Sequence, residues 1–110
     1  MKKSFEEIDV VTNRGAAQST VQIDNERTRV TEWRFAPGEA TGWHRHRYDY
    51  VVVPMSTGTL RLETADGVNE AELIGGRSYF RDAGVEHDVV NVNNHEFVFV
   101  EIEFKRGDVG

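Results

Sequence analysis

The chain contains no cysteine. That excludes a disulfide framework, and it removes thiolate both as a metal ligand and as a nucleophile. Long apolar runs are missing too: the longest stretches are Val51-Val52-Val53 and an interrupted run over Phe97–Phe104, far too short to span a bilayer. Prolines number two against ten glycines, which supplies turns without a low-complexity linker. No repeat recurs at a fixed period. Positive charge is also in deficit, with a formal net charge of -6 and a pI near 5.2. Nucleic acid and anionic membrane are therefore not expected as main partners. The opening residues Met1-Lys2-Lys3-Ser4-Phe5-Glu6-Glu7 place glutamates where a secretory leader has an apolar core. With cysteine absent as well, a cytoplasmic location is the expectation.

What is present fits one compact domain. A chain of 110 residues, 38% hydrophobic, can close a sandwich or barrel of strands that are apolar on one side. Residues 1–20 show no clean period and read as an N-terminal arm, with Ser4–Ile8 suited to a short helical turn and Asn13-Arg14-Gly15 to a bend. From Val21 the pattern alternates. Val21 and Ile23 precede the turn Asp24-Asn25-Glu26, and Arg29–Phe35 sets Thr31, Trp33 and Phe35 on one face. A strand is expected from about Thr41 to Val53 with a bend near Arg47. Further strands follow at Thr59–Thr64, Asn69–Ile74, Ser78–Arg81, His87–Val92 and Phe97–Phe104. Ala65-Asp66-Gly67 is a hairpin signal, since Asp-Gly suits the turns that match strand twist. Residues 21–104 thus read as an all-β barrel and 105–110 as a short C-terminal tail.

His44-Arg45-His46 carries the chemistry. Residues i and i+2 of a strand project to the same face with Cα atoms roughly 7 Å apart, and neutral imidazole is the commonest metal ligand near pH 7. Alone the pair is weak evidence, because two histidines on a solvated strand are ordinary. The glycine framing adds to it. One stretch reads Gly38-x5-His44-x-His46-x3-Tyr50 and ends at Gly58; a second reads Gly76-x5-Asp82-x-Gly84-x2-His87-x3-Asn91. Together these resemble the two motifs of the cupin superfamily, and the resemblance covers about Arg29 to Phe104.

The resemblance implies a double-stranded β-helix, the cupin or jelly-roll barrel, with His44, His46 and His87 as ligands of one divalent transition metal. Fe(II) is favoured, and Mn, Ni or Zn also suit the set. Three imidazoles leave coordination positions open for water, oxygen or substrate. His87 is expected on a strand facing the His44/His46 strand across the barrel. In three places the motif differs: the family's glutamate ligand falls on Tyr50, its proline on Asp82, and the interval from Tyr50 to Gly58 is one residue longer than the pattern. Tyr50 shares parity with His44 and His46, so it should point inward. A phenol is a poor ligand at neutral pH, which makes Tyr50 the candidate catalytic hydrogen-bond donor or, equally, a structural tyrosine.

Around that site, Trp33, Phe35, Phe80, Phe97 and Phe99 are expected in the core or lining the pocket. Arg81 can fork a substrate carboxylate, but the surface is its expected place, because parity does not say which face of Ser78–Arg81 is inward. Glu101 and Glu103 share a face with Phe97 and Phe99. Exposed charge on an edge strand is the expected reading, and a buried partner for a histidine is the alternative. Asp88 is expected in solvent and His95 in a loop. The function expected is a small metalloenzyme acting on a small polar or anionic molecule, with a three-histidine dioxygenase favoured over a metal-assisted isomerase or lyase. A metabolite-binding sensor or a scaffold is the alternative class. The stretch Gly42–Pro54 also resembles small bacterial cupins associated with β-alanine breakdown. An open-edged barrel with an arm suggests a homodimer.

Overall fold

In a computed structural model that describes residues 14–105, nine strands run in chain order: β1 Gln18–Asp24, β2 Thr28–Phe35, β3 His44–Arg45, β4 Asp49–Pro54, β5 Gly58–Thr64, β6 Gly67–Leu73, β7 Tyr79–Arg81, β8 Glu86–Asn91 and β9 Phe97–Phe104. No helix occurs among the described residues. One sheet orders its strands β1-β2-β9-β4-β7 and the other β3-β8-β5-β6. Every strand ladder within each sheet is antiparallel. This is the all-β barrel that the alternating pattern anticipates.

Alternation decides what each strand buries. Thr31 and Phe35 of β2, Tyr50 and Val52 of β4, and Phe97, Phe99 and Glu101 of β9 turn inward and are buried. From the other sheet come Leu60, Leu73, His87 and Val89. The apolar members make one cluster between the sheets, and each buried Phe, Leu or Val contributes about 1.5–3 kcal/mol by leaving water. The rings of Trp33, Phe35 and Phe99 form its aromatic centre, at 6.3 and 5.5 Å between successive centroids.

Two residues of the glycine-framed motifs turn out to be architectural. Asn91 is fully buried. Its amide donates to the carbonyls of Phe35 (3.2 Å) and His95 (2.9 Å), and its Oδ1 accepts from the backbone N–H and side-chain amide of Asn93. Asn93 in turn grips both backbone groups of Thr59, at 2.9 and 2.8 Å. A Cβ on Gly58 would stand 2.5 Å from Asn93 Oδ1, so only glycine lets that grip close.

Three expectations need correction here. The strand expected over Thr41–Val53 is two strands in different sheets, β3 and β4, because the chain must cross from one layer to the other to close the barrel. The crossing at His46 is pinned by backbone bonds: His46 N–H donates to Val85 O and its carbonyl accepts from Gly84 N–H, both at 2.8 Å. Phe80 is not core but 55% exposed. Tyr79 and Arg81 pair with the inward residues Val52 and Tyr50, so Phe80 must face out. The ladder also begins at Gln18 rather than Val21, taking in residues 18–20 of the segment read as an arm. β1 is paired on one side and exposed throughout. Residues 1–13, with the Ser4–Ile8 turn, and residues 106–110 of the tail lie outside the described residues.

Candidate metal centre

His44 and His87 are directly opposed across the β3–β8 ladder. They are neighbours within one sheet, not partners facing each other across the barrel as the sequence suggested. His46 follows β3 and is carried to the same point by its two backbone bonds to the Gly84-Val85 turn. The three Nε2 atoms converge, with His44 to His46 at 3.1 Å and His46 to His87 at 3.2 Å. The rings meet edge-on at interplanar angles of 70–85°. His46 and His87 are buried and His44 is half-buried.

Those separations suit a cation. Two nitrogens each about 2.0–2.1 Å from a common ion, on adjacent corners of its coordination sphere, lie about 3 Å apart. The tautomer of His44 agrees. His44 Nδ1–H donates to Gly42 O at 2.8 Å, which leaves a lone pair on Nε2. Burial, then the charges of His44, His87 and Arg81, lowers the pKa of His46 to about 3. Burial and the neighbouring His44 and Arg81 lower that of His87 to about 4. Neutral rings whose Nε2 atoms crowd one point can offer at most a few protons to one another, whereas an ion satisfies every lone pair at once.

An outer layer holds His44 in place. Gly42, at φ +90°, accepts from His44 through its carbonyl while its N–H donates to Asp88 Oδ1 at 3.0 Å. Asp88 Oδ2 is in turn 3.2 Å from Arg14, which also contacts Glu63 at 2.9 Å. Asp88 was expected in solvent; it is a half-buried brace. The Thr41 hydroxyl adds a 2.9 Å bond to the same Gly42 carbonyl.

The facing sheet supplies the remaining walls. Tyr50 is 2% exposed and stacks on His46, with centroids 3.9 Å apart and planes 14° off parallel. Burial, then the charge of Glu101, keeps its phenol protonated well above the usual range. Its hydroxyl has no hydrogen-bond partner among the described residues, so it is free to donate into the cavity. Glu101 is not on an edge. β9 is the middle strand of its sheet, and Glu101 is buried with Oε2 3.7 Å from His46 Nδ1. That is within ion-pair range and too long for a hydrogen bond. Burial and the neighbouring Glu103 push its carboxyl up to about 7. Arg81 is half-buried and lines the cavity, contrary to its expected surface position. The parity of β9 with Phe97 and Phe99 pointed at Glu101, but only the sheet order shows that face to be internal.

Two spaces meet at the histidines. An inner cavity of about 20 Å³ is bounded by Tyr50, Tyr79, Arg81, His87 and apolar side chains of both sheets. An outer cleft of about 330 Å³ runs between β1, β2 and the β3–β4 crossing. Trp33, Thr41, His44, His46 and Glu101 border both.

A family model described as a cupin domain matches residues 31–103. The chain belongs to the cupin family. Among its relatives is the beta-alanine degradation protein BauB of Pseudomonas aeruginosa, 58% identical over 95 residues, which is 86% of this chain and 100% of that protein. A crystal structure of a cupin domain from Bordetella pertussis is 62% identical with a TM-score of 0.84, covering 86% of this chain and 98% of that one. A double-stranded β-helix protein from Klebsiella pneumoniae, at 19% identity and a TM-score of 0.69 over 87% of this chain and 82% of that one, shares the fold alone. The two-sheet cupin barrel is therefore a double-stranded β-helix, as the motifs implied.

Proposed function

We propose that this cupin is a metal-dependent enzyme acting on a small polar or anionic organic molecule, with His44, His46 and His87 holding one divalent transition metal. The observation that carries the proposal is the convergence of three Nε2 atoms at about 3.1–3.2 Å. Fe(II) and a dioxygenase reaction are the favoured form, because three neutral ligands and no carboxylate leave several positions open. When bound, the ion supplies Lewis acidity and, if it is iron, a redox centre for dioxygen.

This chain's own residues do the rest. Tyr50, protonated and stacked on His46, donates a hydrogen bond into the cavity and orients what enters it. The apolar wall of Val52, Leu60, Leu62 and Leu73 excludes bulk water, which strengthens every polar interaction inside. Glu101 behind His46 can hold or release a proton close to pH 7. The name of the Pseudomonas relative supports compounds related to β-alanine as the first substrates to try.

Freshly purified protein assayed for metal content, then for oxygen uptake with β-alanine-related compounds, thiols and diketones, tests the proposal. Stoichiometric metal with turnover is expected. Metal without turnover of any of these would replace the enzyme with a ligand-binding module, and no metal after reconstitution would leave a scaffold. His87→Ala should abolish metal content. Tyr50→Phe should retain the metal while slowing turnover about 10²-fold, in the range of a lost donor at a reacting group; full activity would make Tyr50 structural.

A further inference from the structure

The inner mouth of the five-stranded sheet carries a row of polar side chains in register across four strands: Arg29 opposite Glu103, Glu103 opposite Tyr50, and Tyr50 opposite Arg81. At one end charge is compensated, since Arg29 has Asp24 at 3.4 Å and Glu103 at 4.0 Å. At the other end it is not. Among the described residues no carboxylate lies within 4.0 Å of Arg81, and no hydrogen bond satisfies its guanidinium. It lies over the ring of Tyr79, whose centroid is 5.6 Å away. Glu101 borders the same cavity, but its carboxyl is turned to His46 Nδ1 and forms no ion pair with Arg81. Among the described residues the guanidinium of Arg81 thus keeps its charge and its paired donors for an anion that enters the cavity.

We propose that Arg81 is the anion-binding group of the pocket and that the pocket takes a small carboxylic acid, its carboxylate forked on Arg81 and its body in the outer cleft. This rests on the reading of the pocket as a ligand site and names the substrate class of that reading. Geometry sets the class. Arg81 is the cross-strand neighbour of Tyr50, and Tyr50 stacks on His46, so an anion on Arg81 lies beside the histidines. A planar guanidinium presents parallel N–H donors that match the two oxygens of a carboxylate. The 20 Å³ inner cavity has room for about one or two water-sized atoms, so only the oxygens of a carboxylate enter it and the rest of the molecule stays in the outer cleft. The 330 Å³ cleft adjoins it at His44 and His46, and the exposed Arg45 and Arg47 on its rim favour the approach of an anion.

The test uses the full chain, metal-free and cobalt-loaded, titrated with propanoate and with its neutral isostere propanamide. The side-chain Nε–H signal of Arg81, assigned by its loss in Arg81→Lys, should shift saturably with propanoate and not with propanamide. Arg81→Met should weaken propanoate binding about tenfold or more with cobalt content unchanged, and Arg81→Lys should fall between. Equal binding by propanamide, equal affinity in Arg81→Met, or no saturable shift in wild type overturns the assignment, and the wild-type signal decides even if a variant fails to fold. If wild type holds no cobalt yet Arg81 still responds to propanoate, the metal reading fails and the anion site stands. If cobalt binds and Arg81 is silent, the anion site alone fails.

Discussion

Each imidazole of the cluster in this cupin is disposed as a metal ligand would need to be. A histidine ligand must be neutral with its lone pair aimed, and the barrel meets both needs by different means: the Gly42 carbonyl fixes the tautomer of His44, while burial keeps His46 and His87 unprotonated. The sign is clear. Both folded-state pKa values lie below the ordinary histidine value, so between about pH 6.5 and 4 the rings stay neutral in the folded chain where an exposed imidazole would charge. In metal-free protein at about pH 5.5, ring ¹⁵N shifts of His46 and His87 should therefore report neutral imidazoles; imidazolium shifts there would contradict this account. The same scale explains Asp88. Its carboxylate braces Gly42, and Asp88→Asn, which weakens the bond to Gly42 and the contact with Arg14, should lower metal affinity about 10- to 100-fold, the usual effect of losing an outer partner. Unchanged affinity by competition with a chelator would remove Asp88 from the site.

Strands and turns deliver these residues, and here the sequence was legible unevenly. Period-2 alternation placed Thr31, Trp33 and Phe35 on one face, and the motif spacing singled out His44, His46 and His87, whose Nε2 atoms lie together in the fold. Parity also turned Tyr50 inward, although it lies in the opposite sheet from His44. The crossing between sheets was not legible, because it depends on the bonds from His46 to Gly84 and Val85, nearly forty positions away. For the same reason the sides of Phe80, Arg81 and Glu101 were undetermined: strand order, which no local pattern encodes, sets which face is internal. Gly58 shows the converse, a motif position whose role is packing. Gly58→Ala sets a Cβ 2.5 Å from Asn93 Oδ1 and should destabilise the barrel by about 1–3 kcal/mol. Denaturant unfolding that shows no loss would mean that the Asn93 grip can shift freely.

For the whole molecule, one row on the outer face of the five-stranded sheet is apolar. Ile23, Val30, Ile102, Val51 and Phe80 lie in one row across all five strands by register, with Ile23 and Phe80 48% and 55% exposed. Antiparallel sheets with one solvated face are ordinarily polar there, and apolar patches of this kind mark contact surfaces. We propose that a second copy covers it, a homodimer through this face rather than through the open barrel edge and N-terminal arm from which the sequence suggested one. Light scattering should give twice the 12.5 kDa chain mass, and Phe80→Glu should shift the population to the monomer. A wild-type monomer at all concentrations would refute it.

The central claim is one ion on three histidines, and anomalous diffraction from crystals of freshly purified protein tests it most directly. One transition-metal peak is expected, about 2.0–2.2 Å from Nε2 of His44, His46 and His87 together. A reconstituted crystal with no peak between those rings, or with its peak elsewhere, would contradict it.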